Sequence, residues 1–330
     1  MHESAAQQRD GRAVVMRTLL LDAVAARCVA LLSEQGVPAI LLKGRAIASW
    51  LYSDGLRDYG DVDLLVDPAR RGQAIDVLGS IGYRHWLAGA SDVEFGSNET
   101  ELIGPPGVCI DLHHTLLGVA AGPARCWEVL SRRTEVMSVG GRAVTVLDPE
   151  ARTMHLALHV AQNGPIDTKA VTDLERGLAQ LPFASWQEAE RLARSIDAIE
   201  AFSAGLRVTE SGRRLALQLR LSPPRDVGLV LRTRSAPPEA LQIQKLVEAG
   251  SMRSRIRLIS RKLWPTSVYM LGRVPGARAG GPALFAARLR RLAGLPGRFG
   301  IALWNWAQAR RTARQLYSEH MTSLEGRDHL

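Results

Sequence analysis

The chain has 330 residues and a mass of 36.0 kDa, with 46% hydrophobic and 23% charged side chains, which is enough apolar material for one or two packed cores and excludes a disordered chain. Its three cysteines (Cys28, Cys109 and Cys126) form no C-x-x-C pair, excluding a disulfide-stapled scaffold and a cysteine-rich zinc module; no apolar run has the ~18 residues of a membrane helix, and MHESAAQQRD lacks the pattern of a secretory leader, so a cytoplasmic protein with no transmembrane segment is expected. The net charge of +9 is uneven: residues 1–150 carry 14 Lys+Arg and 19 Asp+Glu (−5), residues 151–250 carry 13 and 11 (+2), and residues 251–330 carry 15 and 3 (+12).

Residues 8–34 read as an amphipathic helix with Val15, Leu19, Val24, Val29 and Leu32 on its apolar face, stopped by Gly36 and Pro38. Residues 39–42 are an apolar run suited to a buried strand, ended by Lys43-Gly44, and residues 45–52 read as a helix. Residues 62–66 form a second buried strand, opened by Asp61 and closed by Asp67-Pro68, which caps a helix running to about Ile81. Strand signals follow at 93–95, 101–103 and 108–114, the last two joined through Gly104-Pro105-Pro106-Gly107 as a hairpin, with another hairpin at 134–147 around Gly140-Gly141. Asp148-Pro149 caps a further helix, and from there the pattern is helices divided at Pro223-Pro224, Pro237-Pro238 and Gly280-Gly281-Pro282. The expected organisation is an α+β domain at 1–148, its mixed sheet flanked by helices, then an all-helical domain at 149–330 whose last part, 251–330, is a basic tail.

Asp61 and Asp63 open one strand two residues apart, so their carboxylates share a face while Val62, Leu64 and Val66 take the other. Paired carboxylates repel each other and resist burial, which a hard divalent cation such as Mg2+ relieves. A lone D-x-D is more often a strand end facing water. Three further features weigh against that. Lys43-Gly44 lies between a strand and a helix, where a glycine lets backbone amides approach an anion and the lysine adds a charge for phosphate. Asp111 is an acid inside the apolar run Val108–Leu112, where an unpaired charge is costly. Arg57 precedes Asp61 by four residues, placed either for phosphates or for an ion pair with Asp54 or Asp58.

At these residues the chain resembles the uncharacterised bacterial nucleotidyltransferase family of the DNA polymerase β-like superfamily. The likeness is carried by Leu41-Leu42-Lys43-Gly44, by Arg57 with Gly60-Asp61-x-Asp63-Leu64-Leu65-Val66, by Asp111-Leu112-His113, and by Leu147–Glu150 with His155 and His159. It covers residues ~10–180 well and the helical remainder loosely. The resemblance implies a polymerase β-like nucleotidyltransferase core and a two-metal mechanism. Asp61, Asp63 and Asp111 would be the catalytic and metal-binding carboxylates for two Mg2+ ions, and Lys43, Gly44 and Arg57 would meet the triphosphate of an NTP, ATP by preference. The wider superfamily has Gly-Ser where this chain has Lys43-Gly44, so phosphate contacts of the Gly-Ser version do not carry over directly.

Other signals weigh less. His113 shares a strand face with Asp111 and would touch the substrate or hydrogen-bond the acid. His155 and His159 are four apart on a helix, but Leu156 stands where a zinc helix has glutamate, which favours a structural role. Lys169 and Asp173 have the spacing of a surface ion pair, or line the acceptor side of the cleft. In the tail, Arg253, Arg255, Arg257 and Lys262 precede Trp264, and Arg288, Arg290, Arg291 and Arg298 precede Trp304 and Trp306. That pattern suits RNA, an anionic membrane surface, an acidic peptide, the chain's own acidic domain, or plain solvated helices. The expected activity is transfer of NMP from an NTP to a hydroxyl- or phosphate-bearing acceptor (small molecule, sugar, peptide or protein, with a small molecule or peptide favoured) with release of pyrophosphate. The alternatives are an RNA 3′-end nucleotidyltransferase and a non-catalytic nucleotide- or RNA-binding protein of the same fold.

Overall fold

The computed structural model describes residues 2–53, 57–86, 98–274, 278 and 280–325. Helix α1 (His2–Glu34) leads into strand β1 (Ala39–Leu41), the short helix α2 (Arg45–Leu51) and strand β2 (Asp61–Val66). A single 3-10 turn, Pro68–Arg70, capped by the Asp67 carboxylate accepting from the Ala69 amide, opens α3 (Arg71–Ser80). Then come β3 (Arg84–His85), β4 (Glu99–Gly104), β5 (Val108–His113), α4 (Pro123–Leu130), β6 (Thr134–Val139) and β7 (Arg142–Leu147). Among the described residues only helices follow, beginning with α5 (Pro149–Asn163), where Asp148 accepts from the Ala151 amide at 2.8 Å. The expected strand at 93–95 lies outside the described residues.

The seven strands form one mixed sheet in the order β3-β4-β5-β2-β1-β7-β6. β2 pairs parallel with β5 and antiparallel with β1, β1 pairs parallel with β7, and β4–β5 and β6–β7 are antiparallel hairpins. Strand alternation sorts the side chains into two faces. Ala39 and Leu41, Val62, Leu64 and Val66, and Ile110 and Leu112 share a buried core with Leu21, Ala25, Cys28, Val29 and Leu32 of α1 and with Ala74 and Leu78 of α3. The opposite face of β2 and β5 presents Asp61, Asp63, Asp111 and His113.

The buried face of α1 differs from the sequence expectation. Thr18, Leu21, Asp22, Ala25, Cys28, Val29 and Leu32 are buried, whereas Val15 and Leu19 are 37% and 57% exposed. Small side chains let the helix lie close on the sheet, so the buried stripe follows Ala25 and Cys28 rather than the largest residues.

The chain forms two compact units, one of Met1–Trp86, Asp92–Leu158 and Thr172–Ile199, the other chiefly of His159–Val171 and Glu200–Leu330. The first holds the sheet, much of α5, most of α6 (Thr168–Gln180), and α7 (Phe183–Ser195). The second is helical: α8 (Ile199–Leu206), α9 (Glu210–Gln218), α10 (Val227–Thr233), α11 (Pro238–Glu248), α12 (Met252–Leu263), α13 (Ser267–Arg273), α14 (Gly281–Ala293) and α15 (Leu295–Glu325). The proline and glycine breaks fall as expected: Pro238 opens α11, and Gly280 precedes α14 with Pro282 in its first turn.

A carboxylate face on the central strands

The parallel register of β2 and β5 sets Asp63 directly beside Asp111 and Asp61 beside Cys109. Three acids from two strands thereby share one face of the sheet. β4 continues the row, since Glu101 is the partner of Asp111 and Glu99 the partner of His113. Glu99 and Glu101 were missing from the sequence reading, although their two-residue spacing on a strand hairpinned to β5 is the same signal that marks Asp61 and Asp63.

Asp63 is the buried centre of this face, only 3% exposed. The Lys43 Nζ lies 2.6 Å from its Oδ1, and His113 Nε2 lies 3.0 Å from the same oxygen. Burial alone would raise the Asp63 pKa, but Lys43 and His113 outweigh it and hold the carboxyl far below the usual range. The same pair raises Lys43: burial pulls the ammonium down, and Asp63, with help from Asp61 and Asp111, overcomes it. His113 thus meets Asp63 rather than its strand neighbour Asp111, and its Nδ1 is 3.2 Å from Glu99.

Lys43 reaches Asp63 because of the local backbone. The Leu42 amide donates to the Asp63 carbonyl at 3.0 Å, extending the β1–β2 ladder one residue past Leu41. The chain then turns through Gly44 at φ 63° and ψ −122°, a combination open to glycine alone, and enters α2. A Cβ at Gly44 would stand 3.3 Å from the Tyr59 ring.

At Asp61 and Asp111 the neighbouring cations do not outweigh burial and repulsion. Burial first, then the Asp63 carboxylate, raises Asp61. Burial, followed by Asp63, Glu99 and Asp61, pushes Asp111 up to about 7. His155 of α5 is buried beside this cluster, and burial together with the Lys43 charge pushes its imidazole down to about 3. It stays neutral near pH 7. Its helix neighbour His159 belongs to the second unit, where it lies 3.2 Å from Asn163.

Arg57 is buried, and among the described residues its partner is Asp173 of α6 rather than Asp58, while Asp54 lies outside the described residues. Arg57 Nε donates to both Asp173 oxygens at 2.9 Å, and Nη2 donates to Oδ2 at 2.6 Å. The Tyr52 hydroxyl adds a third donor at 2.8 Å. Asp173 is only 1% exposed, so it is a core anchor and not half of a surface pair with Lys169. Asp58 pairs with Arg17. Lys169 is an exposed residue of the second unit. No local sequence signal joins Arg57 to Asp173, which lies 116 positions away.

Among the described residues no three His, Cys, Asp or Glu side chains already stand as a metal cage. The donor set nevertheless suits a hard cation in kind: oxygen ligands on one face, two of them raised by burial and mutual repulsion.

A family model described as an uncharacterised nucleotidyltransferase matches residues 5–211, well over half of the chain. None of the curated proteins compared with it matches. Solved structures with detectable similarity include a crystal structure of ANT(2″)-Ia in complex with adenylyl-2″-tobramycin, at 16% identity over 53% of this chain and 95% of that one, with a TM-score of 0.38. A solution structure of the same antibiotic-resistance factor gives 16% identity over 55% and 90%, with a TM-score of 0.35. A nucleotidyltransferase-like protein from Paracoccidioides brasiliensis gives 16% over 62% and 94%, with a TM-score of 0.36.

Proposed function

We propose that this chain, which belongs to the uncharacterised nucleotidyltransferase family, transfers NMP from an NTP, ATP by preference, to a hydroxyl- or phosphate-bearing acceptor in a Mg2+-dependent reaction that releases pyrophosphate. One observation carries the reading: Asp61, Asp63 and Asp111 share a face of adjacent strands, with a partly buried lysine on the central acid.

Asp61, Asp63 and Asp111 would hold two Mg2+ ions, which when bound offset the triphosphate charge and activate the acceptor oxygen. The remaining roles belong to the chain itself. Lys43 and His113 keep Asp63 ionised and fix its Oδ1, leaving it an acceptor at any pH near neutrality. Gly44 gives the backbone after β1 room for close approach of a phosphate, and the Lys43 ammonium beside it supplies the matching charge. Without a cation, burial and its acidic neighbours raise Asp111; with Mg2+ held there the carboxyl would be ionised, free to orient the acceptor hydroxyl and take its proton. The Asp173 clamp on Arg57 secures the segment that leads into β2, so a phosphate contact by Arg57 would have to compete with this pair.

Incubation with Mg2+ and each NTP labelled at the α-phosphate, with cell extract, a small-molecule fraction or RNA as acceptor, tests this reading. Label on a small molecule or peptide, with pyrophosphate released, is the expected result. Asp61→Asn and Asp63→Asn are expected to abolish transfer in a folded protein, and Asp111→Ala to lower kcat more than it raises KM. Full activity in all three variants contradicts the assignment, and label confined to RNA 3′ ends would replace the acceptor class.

A further inference from the structure

Two of the last helices of the second unit, α12 and α15, expose several large apolar side chains. On α15 the buried positions are Ala302, Ala309 and Ala313, packed with Val230, Leu231 and Ala240. Several of its large residues face outward, with Phe299 54%, Ile301 59% and Trp304 60% exposed, while Trp306 packs inward on this cluster. On α12, Met252, Ile256, Ile259 and Leu263 follow a helical stripe and are 67%, 59%, 44% and 46% exposed. Arg253, Arg255 and Arg257 lie on the same helix and are also exposed. Water-facing helices do not present such stripes, whereas helices that rest in a lipid interface do.

Two adjoining recesses sit among these helices. The first, about 350 Å3, is walled by Ile243, Leu246, Leu258, Ile259, Leu263 and Phe299. The second, about 440 Å3, shares Glu239, Gln242 and Lys262 with the first and adds Arg290, Arg291 and Arg298. Its walls thus hold four cations against one carboxylate, and that carboxylate, Glu239, already lies 3.8 Å from Arg298. Arg291 is fixed by donating to the Lys262 carbonyl at 2.6 Å. Both volumes fall within the ~300–1,000 Å3 of ligand sites. At about 30 Å3 per water-sized group, the apolar recess takes on the order of ten methylenes.

We propose that the paired recesses hold one anionic phospholipid, its acyl chain in the apolar recess and its phosphate head group among Lys262, Arg290 and Arg291, while the exposed stripes of α12 and α15 rest on an anionic membrane surface. The charge complements phosphate, and the adjoining aliphatic walls complement a hydrocarbon tail. Nucleic acid would meet the charge, but apart from Phe299 the apolar recess beside it is lined by aliphatic side chains, which suit a hydrocarbon tail better than a stacked base. The attachment is peripheral, because among the described residues no helix is long and apolar enough to cross a membrane.

Sedimentation of the full chain with vesicles of phosphatidylglycerol or of phosphatidylcholine tests the proposal. Binding to phosphatidylglycerol is expected, and binding to phosphatidylcholine about tenfold weaker or less. Ile259→Asp and Arg290→Glu are each expected to weaken it about tenfold, with helical circular dichroism unchanged since both side chains are exposed. Leu217→Asp on α9, at a 66% exposed position, is expected to change nothing. Monomeric dodecyl phosphate is expected to displace the protein from the vesicles at concentrations where sodium phosphate does not. Equal binding to both lipids, insensitivity to the two recess variants, displacement by sodium phosphate alone, or binding to an RNA oligonucleotide in place of vesicles would overturn it.

Discussion

Asp111 shows how a single side chain on this face couples stability to charge. Its carboxyl is raised to about 7 by burial and by its acidic neighbours, while an unfolded aspartate titrates near ~3.9. Between those values the folded chain keeps a proton that the unfolded chain has lost, so stability falls as pH rises through this window and stays lower above it. Asp111→Asn removes the penalty. In metal-free buffer the variant is expected to melt higher than the parent at pH ~8 and near the parent at pH ~4, where Asp111 is protonated in the folded chain and only about half ionised in the unfolded one. Thermal unfolding across pH checks this, and a variant less stable at every pH would contradict it. His155 acts at the acid end: its depressed pKa of about 3 means stability is lost as pH falls below ~6.5, the value of an unfolded histidine. The pairing of Asp61 with Asp63 was legible in the sequence because strand geometry puts alternate side chains on one face. The partners of those side chains were not. Only the three-dimensional packing of β1 and β5 against β2 shows that Lys43 and His113 both close on Asp63.

At the scale of elements, two junctions hold the carboxylate face in place, and each can be broken separately. The β1–α2 turn depends on Gly44 at positive φ against the Tyr59 ring. Gly44→Ala is expected to cost about 1–3 kcal/mol and to misplace Lys43, lowering both the urea midpoint and NTP turnover. Unchanged values for both would show that the turn tolerates a side chain. The Arg57–Asp173 clamp joins the β2 approach to α6 inside the same unit. Asp173→Ala leaves a buried guanidinium without its carboxylate and is expected to cost about 3–5 kcal/mol in denaturant unfolding. A loss below ~1 kcal/mol would mean that water or another acid replaces it. The hairpins, the capped α3 and α5, and the helical run after β7 were readable because turn residues and caps are local chemistry. The two-residue β3 is too short to carry a period. Helix α4 went unassigned although Gly122-Pro123 marks its start. The rotated face of α1 follows from close packing of small residues, which a search for large apolar positions overlooks.

Across the whole chain, charge and chemistry are segregated: residues 1–150 carry −5 and residues 251–330 carry +12. The acidic surplus includes the row on β2, β4 and β5, while the basic surplus lies on helices of the second unit, two of which expose several large apolar side chains. Family membership sets the reaction class, and the carboxylate row supports the assignment of the reacting centre to the first unit. Because Asp63 is held by Lys43 and His113, the proposed reaction requires that a cation and a triphosphate join this arrangement rather than find it closed. Crystals grown with Mn2+ in place of Mg2+ and an NTP carrying a non-hydrolysable α,β-bridge test it directly through anomalous scattering. Manganese bound by Asp61, Asp63 and Asp111, with the triphosphate beside Lys43, is the predicted result; manganese absent from these carboxylates while nucleotide is bound elsewhere in the chain would contradict it.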